Sequence, residues 1–504
     1  MNRTPFIRCC PEELGIPSRA VLRLLDKLEG DYTEIHSIMI MRHGKVAAEG
    51  WWSPYTPGLR HTMMSVSKTF SGTAIGIAAR EGLLSLDERI VDIFPEEVPS
   101  DACDNLRAVT IRHLLMMGCG VDHENPVNRT WIHDFFRLPF PHEPGTAFLY
   151  NNAPATLLAA ILEKKSGVSM MEYLKPRLFD VIGIDCDNNT WFSAPDGVTF
   201  APGGFHAQTE DILRLMKLYL DGGVWEGRRL LDEDYVRSAT SKQIDTASIG
   251  LGPASDNIYG YGYMMWMGHI PGTYRAEGAN GQFGVVLPDL DMIIAITQSS
   301  PESPVSQKTL DHLWSFIDEI TPGIDCLPMN EDCRILKNRL ARLAIPREPF
   351  APFGRFPMEG TVYHTEHMGI HPESLYYDPI RASYEAENAT GLTEFAFTSD
   401  PHAFSVRMDA VINGLRYCFD IPTDGSRKLV KLPEIYVSVV ALSGYWKDDH
   451  TFSVRWRWME TVFVNEMDFC FDSGNCVVSV SSLRGIDPYG GDQQRFIPGK
   501  DVCS

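Results

Sequence analysis

No apolar run in the 504-residue sequence approaches the length of a membrane span. The longest, such as Leu157 to Leu162, fall far short of the roughly 20 residues a spanning helix needs. The opening Met1-Asn2-Arg3-Thr4-Pro5-Phe6-Ile7-Arg8-Cys9-Cys10 also lacks the apolar stretch of a secretory signal and runs directly into Pro11-Glu12-Glu13. Positive charge is scarce: 45 Lys and Arg stand against 66 Asp and Glu, a formal net charge of −21. Nucleic-acid binding, which needs clustered Lys and Arg to neutralise phosphates, is therefore not expected, and an acidic, solvated surface is. The eleven cysteines form no C-x-x-C pair, are irregularly spaced and are odd in number. They read as reduced thiols in a cytoplasmic protein, not as a disulfide framework. Also missing is any G-x-S-x-G elbow, which argues against the α/β-hydrolase class. The Gly-rich stretch Gly278 to Gly284 has neither the Lys-Ser/Thr of a phosphate loop nor the spacing of a dinucleotide fingerprint. His113, Cys119 and His123 match no zinc spacing, so neither metal nor organic cofactor is expected.

What is present is a globular composition, 44% apolar and 22% charged, in a chain long enough for two domains. An amphipathic helix is expected from Ser18 to Glu29, and a hairpin from Ile35 to Met41 and Lys45 to Trp51, turning at Arg42-His43-Gly44. A helix rich in small residues runs from Ser65 to Glu81. Helical pieces follow at Leu83 to Ile93, Val109 to Met117 and Ala153 to Ser166. Strands return at Tyr259 to Met267, Val285 to Leu287 and Met292 to Thr297. Terminal strands around a helical middle suit one sheet with a helical insertion. Cys326 to Pro357 reads as a connector with a short basic helix from Arg334 to Leu343 and a Pro-punctuated tail. Beyond it the texture is all strand: Gly391 to Thr398, His402 to Ile412, Tyr417 to Ile421, Glu434 to Leu442, Thr451 to Met459, Phe463 to Phe471 and Cys476 to Ser481. That spacing, with turns such as Asn413-Gly414, indicates a barrel or sandwich.

The chemistry is carried by Ser65-Val66-Ser67-Lys68. Positions i and i+3 share one helix face, so the Ser65 hydroxyl and the Lys68 amine can meet. A serine hydroxyl is a weak nucleophile until a base takes its proton, and a lysine can be that base if burial lowers its pKa. S-x-x-K alone is a weak signal, and its context is what gives it weight.

Ser65-Val66-Ser67-Lys68-Thr69-Phe70 resembles the active-site serine motif of the penicillin-binding-protein and class C β-lactamase superfamily. The resemblance continues in order through Glu81 to Asp87, Val109 to Leu115, Pro144-Gly145-Thr146-Ala147-Phe148-Leu149-Tyr150-Asn151-Asn152, Ala201 to His206, Asp221 to Gly227 and Tyr259-Gly260-Tyr261-Gly262-Tyr263. It implies that Tyr150 works with Lys68 in moving protons, as a phenol whose pKa the neighbouring ammonium lowers. It also implies that Asn152 hydrogen-bonds Lys68 and the acyl side of a substrate. The oxyanion hole, by the same resemblance, consists of the backbone N–H groups of Ser65 and Ala279. One element departs from the pattern. Where β-lactamases and transpeptidases carry Lys-Thr-Gly, this chain has Ala276-Glu277-Gly278, with no lysine for a substrate carboxylate and an acid in its place.

The expectation is thus an α/β plus all-α catalytic domain of β-lactamase/penicillin-binding-protein type over residues 1–325, a linker over 326–357, and an all-β barrel-like domain over 358–504. The expected reaction is acyl transfer from Ser65 on esters or amides of small molecules or peptides, without a cofactor and with weak or absent β-lactamase activity. The variant third element places this chain nearer the esterases, amidases and nylon-oligomer hydrolases of the superfamily. Glu277, Gly278, Ala279 and Asn152 are the expected substrate-binding positions. Two other readings stay open: a D-aminopeptidase-like peptidase using Glu277 for a substrate ammonium, and a non-catalytic sensor on the same fold. Intact Ser65, Lys68 and Tyr150 weigh against the sensor. The oligomeric state is not legible.

Overall fold

The computed structural model describes residues 5–31, 33–124, 129–247, 255–300, 307–351, 356, 359–365, 391–400, 404–432, 438–484 and 493–498. The chain divides into two compact units, Met1–Gln298 with Glu302–Ala344, and Ser299–Pro301 with Ile345–Ser504.

The first unit is built on a six-stranded sheet. From edge to edge its strands are Lys45–Trp51, Glu34–Arg42, Met292–Ser299, Gln282–Leu287, Tyr274–Gly278 and Trp266–Met267. The first hairpin turns at His43 and Gly44, both at positive φ (51° and 69°), the left-handed pair that a tight two-residue connection requires. Every residue of the central strands Glu34–Arg42 and Met292–Ser299 is buried, so both faces of the sheet are covered. Helix Thr209–Leu220 packs on strands Glu34–Arg42 and Gln282–Leu287, while helix Ser18–Gly30 packs on Gln307–Ile317 and on Glu331–Leu340. The last of these helices was expected within the linker, and it is part of the first unit.

Helix Val66–Arg80 is buried from Val66 through Ala78, and its small residues are what allow this. A Cβ added at Gly76 would stand 2.6 Å from Cε1 of Tyr235 and 2.8 Å from Cδ2 of Leu231. Helix Asn152–Ser166 packs beside it, with the Asn151 side chain accepting from the Ala153 N–H at 3.0 Å as its N-cap. Other expectations are revised. Of Tyr259 to Met267 only Trp266–Met267 is a strand, and of Leu83 to Ile93 only Ile90–Ile93 is helical. Helices Thr209–Leu220 and Gln307–Ile317 carry clear amphipathic periodicity that the sequence reading did not use.

The second unit is a ten-stranded antiparallel sheet. Its order is Leu415–Pro422, Ser405–Ile412, Leu392–Asp400, Tyr363–His364, Gln493–Pro498, Asn475–Arg484, Val464–Asp472, Thr451–Trp458, Val439–Trp446 and Lys428–Lys431. Its two ends approach each other, since a Cβ on Gly444 would lie 2.8 Å from Cγ2 of Ile421. The result is a nearly closed barrel. Rings fill its interior: Phe397 stands 4.9 Å from Phe469 and 5.4 Å from Phe452 between centroids. The alternating burial of Ser405–Ile412 shows one side of the strand facing this core. Residues 401–403 and 433–437, where two strands were expected to begin, lie outside the described residues, as do Pro352 and Pro357 of the expected connector.

Candidate active site

Ser65 is the N-cap of helix Val66–Arg80 and is partly exposed. It follows Met64, a non-glycine residue at φ 45°, so the chain bends sharply immediately before the hydroxyl. The N–H groups of Val66, Ser67 and Lys68 are taken up by the Met63, Met64 and Ser65 carbonyl oxygens at 3.0 Å, so the tight turn continues into the helix, whose positive dipole end lies at Ser65.

One turn on, Lys68 is 1% exposed. Its Nζ lies 3.0 Å from Ser65 Oγ, 3.0 Å from Asn152 Oδ1 and 3.1 Å from the Pro202 carbonyl oxygen. Burial pushes its pKa from 10.5 down to about 7, opposed by the negative charge of Glu124. The Nζ also sits 4.7 Å from the ring centre of Tyr150. Ser65, Lys68 and Tyr150, the three side chains read from the sequence, thus converge.

The phenol differs from expectation in one respect. Burial lifts the Tyr150 pKa well above its usual value. The Ser65 hydrogen bond opposes this, and the charges of Glu277 and Glu124 add to it. A neighbouring lysine pushed toward neutrality cannot counter that burial, so Tyr150 holds its proton. Its ring stacks on Trp266 at 5.5 Å and meets Tyr261 edge-on at 6.2 Å, and Phe148 completes the aromatic wall 5.6 Å from Trp266.

Strand Tyr274–Gly278 carries the third element. Gly278 lies directly against the segment leading to Ser65: an added Cβ would come within 2.6 Å of the Met63 carbonyl oxygen and 3.0 Å of Met64 Cβ. Only a glycine allows that approach, and it brings the following residue, Ala279, beside the nucleophile's segment. The hairpin then turns through Asn280 and Gly281 at φ 60° and 87°.

Glu277 is only 8% exposed. Its Oε2 accepts from Arg275 Nε at 2.7 Å and its Oε1 from Asn257 Nδ2 at 3.3 Å. The Arg275 guanidinium is consumed in turn by Asn257 Oδ1 at 2.6 Å and the Met267 carbonyl oxygen at 2.8 Å. Acid and base thus form a closed buried pair.

The Beta-lactamase family model matches residues 25–317, more than half of the chain and all of the residues just described. The chain belongs to the beta-lactamase family. Among its relatives, the 6-aminohexanoate-dimer hydrolase of Paenarthrobacter ureafaciens is 26% identical over 301 residues, covering 55% of this chain and 76% of that protein. A Salmonella agona (strain SL483) protein provisionally named D-alanyl-D-alanine carboxypeptidase is 19% identical over 375 residues, 59% of this chain and 86% of its own. The solved structure of a Bacillus anthracis protein, provisionally named 6-aminohexanoate-dimer hydrolase, superposes with a TM-score of 0.51 at 19% identity. It covers 65% of this chain and 89% of that one, and shares the fold.

Within this family fold the sequence reading missed several participants. Glu124 accepts from Asn152 Nδ2 at 3.1 Å and comes from a loop with no motif. Arg275 could have been found, because residues two apart on a strand share a face and Arg275 therefore lies beside Glu277. Asn257 carried no readable signal, and Pro202 lies in the quoted stretch Ala201 to His206, which gave its carbonyl oxygen no role. Among the described residues, no group of His, Cys, Asp and Glu side chains is arranged to hold a metal, and no helix is long and apolar enough to cross a membrane.

Proposed function

We propose that the protein is a serine hydrolase that cleaves ester or amide bonds of small molecules or peptides through an acyl-enzyme on Ser65. The observation that carries this reading is the contact between Ser65 Oγ and a buried Lys68 whose pKa is about 7. A neutral lysine at that distance accepts the hydroxyl proton as Oγ attacks the carbonyl carbon. Tyr150, which keeps its proton, donates it to the departing oxygen or nitrogen and is reprotonated from Lys68. A water molecule then repeats the sequence on the acyl-enzyme and frees the acid. Asn152 holds Lys68, and the N–H groups of Ser65 and Ala279 receive the oxyanion.

The closed Arg275–Glu277 pair bears on the substrate. Ala276-Glu277-Gly278 offers no cation to a carboxylate, and Arg275 is fully engaged, which argues against penicillins and C-terminal peptides. Glu277 does not present a spare anion either, which weakens the D-aminopeptidase reading based on it.

Labelling with a neutral fluorophosphonate, read by mass spectrometry, tests the assignment. The modified residue should be Ser65, and Ser65→Ala should abolish the adduct. Lys68→Ala and Tyr150→Phe should each slow turnover of an aryl ester by more than about a hundredfold. Wild-type rates in both variants, or an adduct on Ser67, would overturn the mechanism. A penicillin turned over at about 10,000 per molar per second or more would overturn the substrate class.

A further inference from the structure

We propose that Glu124 is a positioning residue of this site: it fixes the orientation of the Asn152 amide and supplies a negative charge that keeps Lys68 able to hold a proton. The inference rests on the serine-hydrolase reading above and goes beyond it, since no sequence motif marks Glu124.

The argument starts from donors and acceptors. An asparagine amide can be flipped, presenting either its oxygen or its NH2 group to a neighbour. Asn152 meets Lys68 through Oδ1 at 3.0 Å and Glu124 through Nδ2 at 3.1 Å. A carboxylate only accepts, so Glu124 demands the NH2 side, and Oδ1 is left facing the lysine. Without Glu124 the amide could turn, and its NH2 would then oppose the Lys68 amine, donor against donor. Helix Asn152–Ser166 fixes the Asn152 backbone but not the amide's two ends.

The charge argument is separate. Lys68 faces Ser65 on its own helix, Tyr150 and Asn152 from the following elements, and the Pro202 carbonyl. Among the charged groups near this cluster, Glu277 is paired with Arg275 and acts on Tyr150 alone, whereas Glu124 is exposed and its carboxylate acts on both Lys68 and Tyr150. Its charge favours protonated Lys68 and disfavours the phenolate. Both effects serve a relay in which the lysine must take a proton and the phenol must keep one until the leaving group departs.

The test is the pH dependence of Ser65 labelling by an uncharged fluorophosphonate, in full-length wild type, Glu124→Gln, Glu124→Asp and Glu124→Ala. An uncharged probe removes substrate attraction from the comparison. Glu124→Gln can still accept from Asn152 but has no charge, so the acid limb of its profile should move to lower pH by about half a pH unit or more. Glu124→Ala loses both functions and should also label at least about tenfold more slowly on the plateau. Glu124→Asp should return the limb toward its wild-type position. Thermal melting of each variant separates these effects from misfolding, and the exposed position of Glu124 makes misfolding a small hazard. An unmoved acid limb in Glu124→Gln, or a wild-type plateau in Glu124→Ala, would overturn the proposal. Labelling that persisted in Ser65→Ala would instead overturn the hydrolase reading, so the two failures are distinguishable.

Discussion

Lys68 shows what the site demands of a single residue. An ammonium held at 1% exposure has lost its water, and hydrogen bonds to Ser65, Asn152 and Pro202 compensate only in part, which is why its pKa falls to about 7. The sign of the linkage follows. Between the native value near 7 and the unfolded value near 10.5 the unfolded chain binds more protons, so stability rises with pH across that window. At pH 6 both states are protonated and the full cost of the buried charge is present, each tenfold loss of proton affinity corresponding to about 1.4 kcal/mol. Lys68→Met, similar in length and uncharged, should therefore be inactive yet more stable than wild type by more than about 1 kcal/mol at pH 6, with the advantage shrinking toward pH 10. Denaturant melts at the two pH values check this, and a variant less stable than wild type at pH 6 would contradict it. That Ser65, Lys68, Tyr150 and Asn152 come together was legible in the sequence through their spacing and local context. Glu124 was not, because its role exists only once a loop is folded against helix Asn152–Ser166.

At the scale of elements, legibility followed how local the determining signal is. The first hairpin announces itself through Arg42-His43-Gly44, and the Asn413-Gly414 turn does the same in the barrel, with φ of 51° and 76°. Tyr259 to Met267 has strand-like composition, yet only Trp266–Met267 pairs in the sheet, and Tyr261 and Trp266 line the wall beside Tyr150. Gly260 at φ 118° and Met264 at φ 55° break any extended run, and Gly262 has no room for a Cβ, which would stand 2.1 Å from the Ala239 carbonyl oxygen. Composition cannot distinguish rings that line a cleft from rings that fill a sheet. The small residues of helix Val66–Arg80 did signal close packing, and that packing is testable apart from chemistry. Gly76→Ala favours the helix intrinsically by up to about 1 kcal/mol. Its new methyl, however, would collide with Tyr235 and Leu231 at 2.6 and 2.8 Å, and overpacking of this kind costs roughly 1–3 kcal/mol. The expected net result is a lower melting temperature, with Ser65 still labelled in the folded fraction. A raised melting temperature would show that the neighbours yield easily.

At the scale of the whole chain, two units are each compact in themselves. The segment after Ala344 enters the second unit through Glu348, whose carboxylate is 8% exposed and meets Arg455 at 2.7 Å and Arg457 at 3.4 Å, with Arg427 alongside. Those guanidiniums outweigh the opposing effect of burial and hold the Glu348 pKa below its usual value. Removing that carboxylate would take a shared acceptor from three guanidiniums, of which Arg455 also pairs with Glu466 at 2.7 Å, so the connector is anchored by the barrel's own chemistry. The first unit, for its part, contains Ser65, Lys68, Glu124, Tyr150, Asn152, Glu277, Gly278 and Ala279, together with the helix Glu331–Leu340 that packs on Ser18–Gly30. A chain ending at Ala344 therefore keeps the whole proposed relay and every strand of the six-stranded sheet, losing none of the pairings between them. The expected outcome is a folded protein that a small fluorophosphonate still labels at Ser65 within about tenfold of the full-length rate, whatever happens to bulky esters. Circular dichroism and a cooperative melt establish folding before labelling is compared. A truncated protein that melts cooperatively but is no longer labelled would show that the barrel contributes to the reaction itself, and the assignment of the chemistry to the first unit alone would fail.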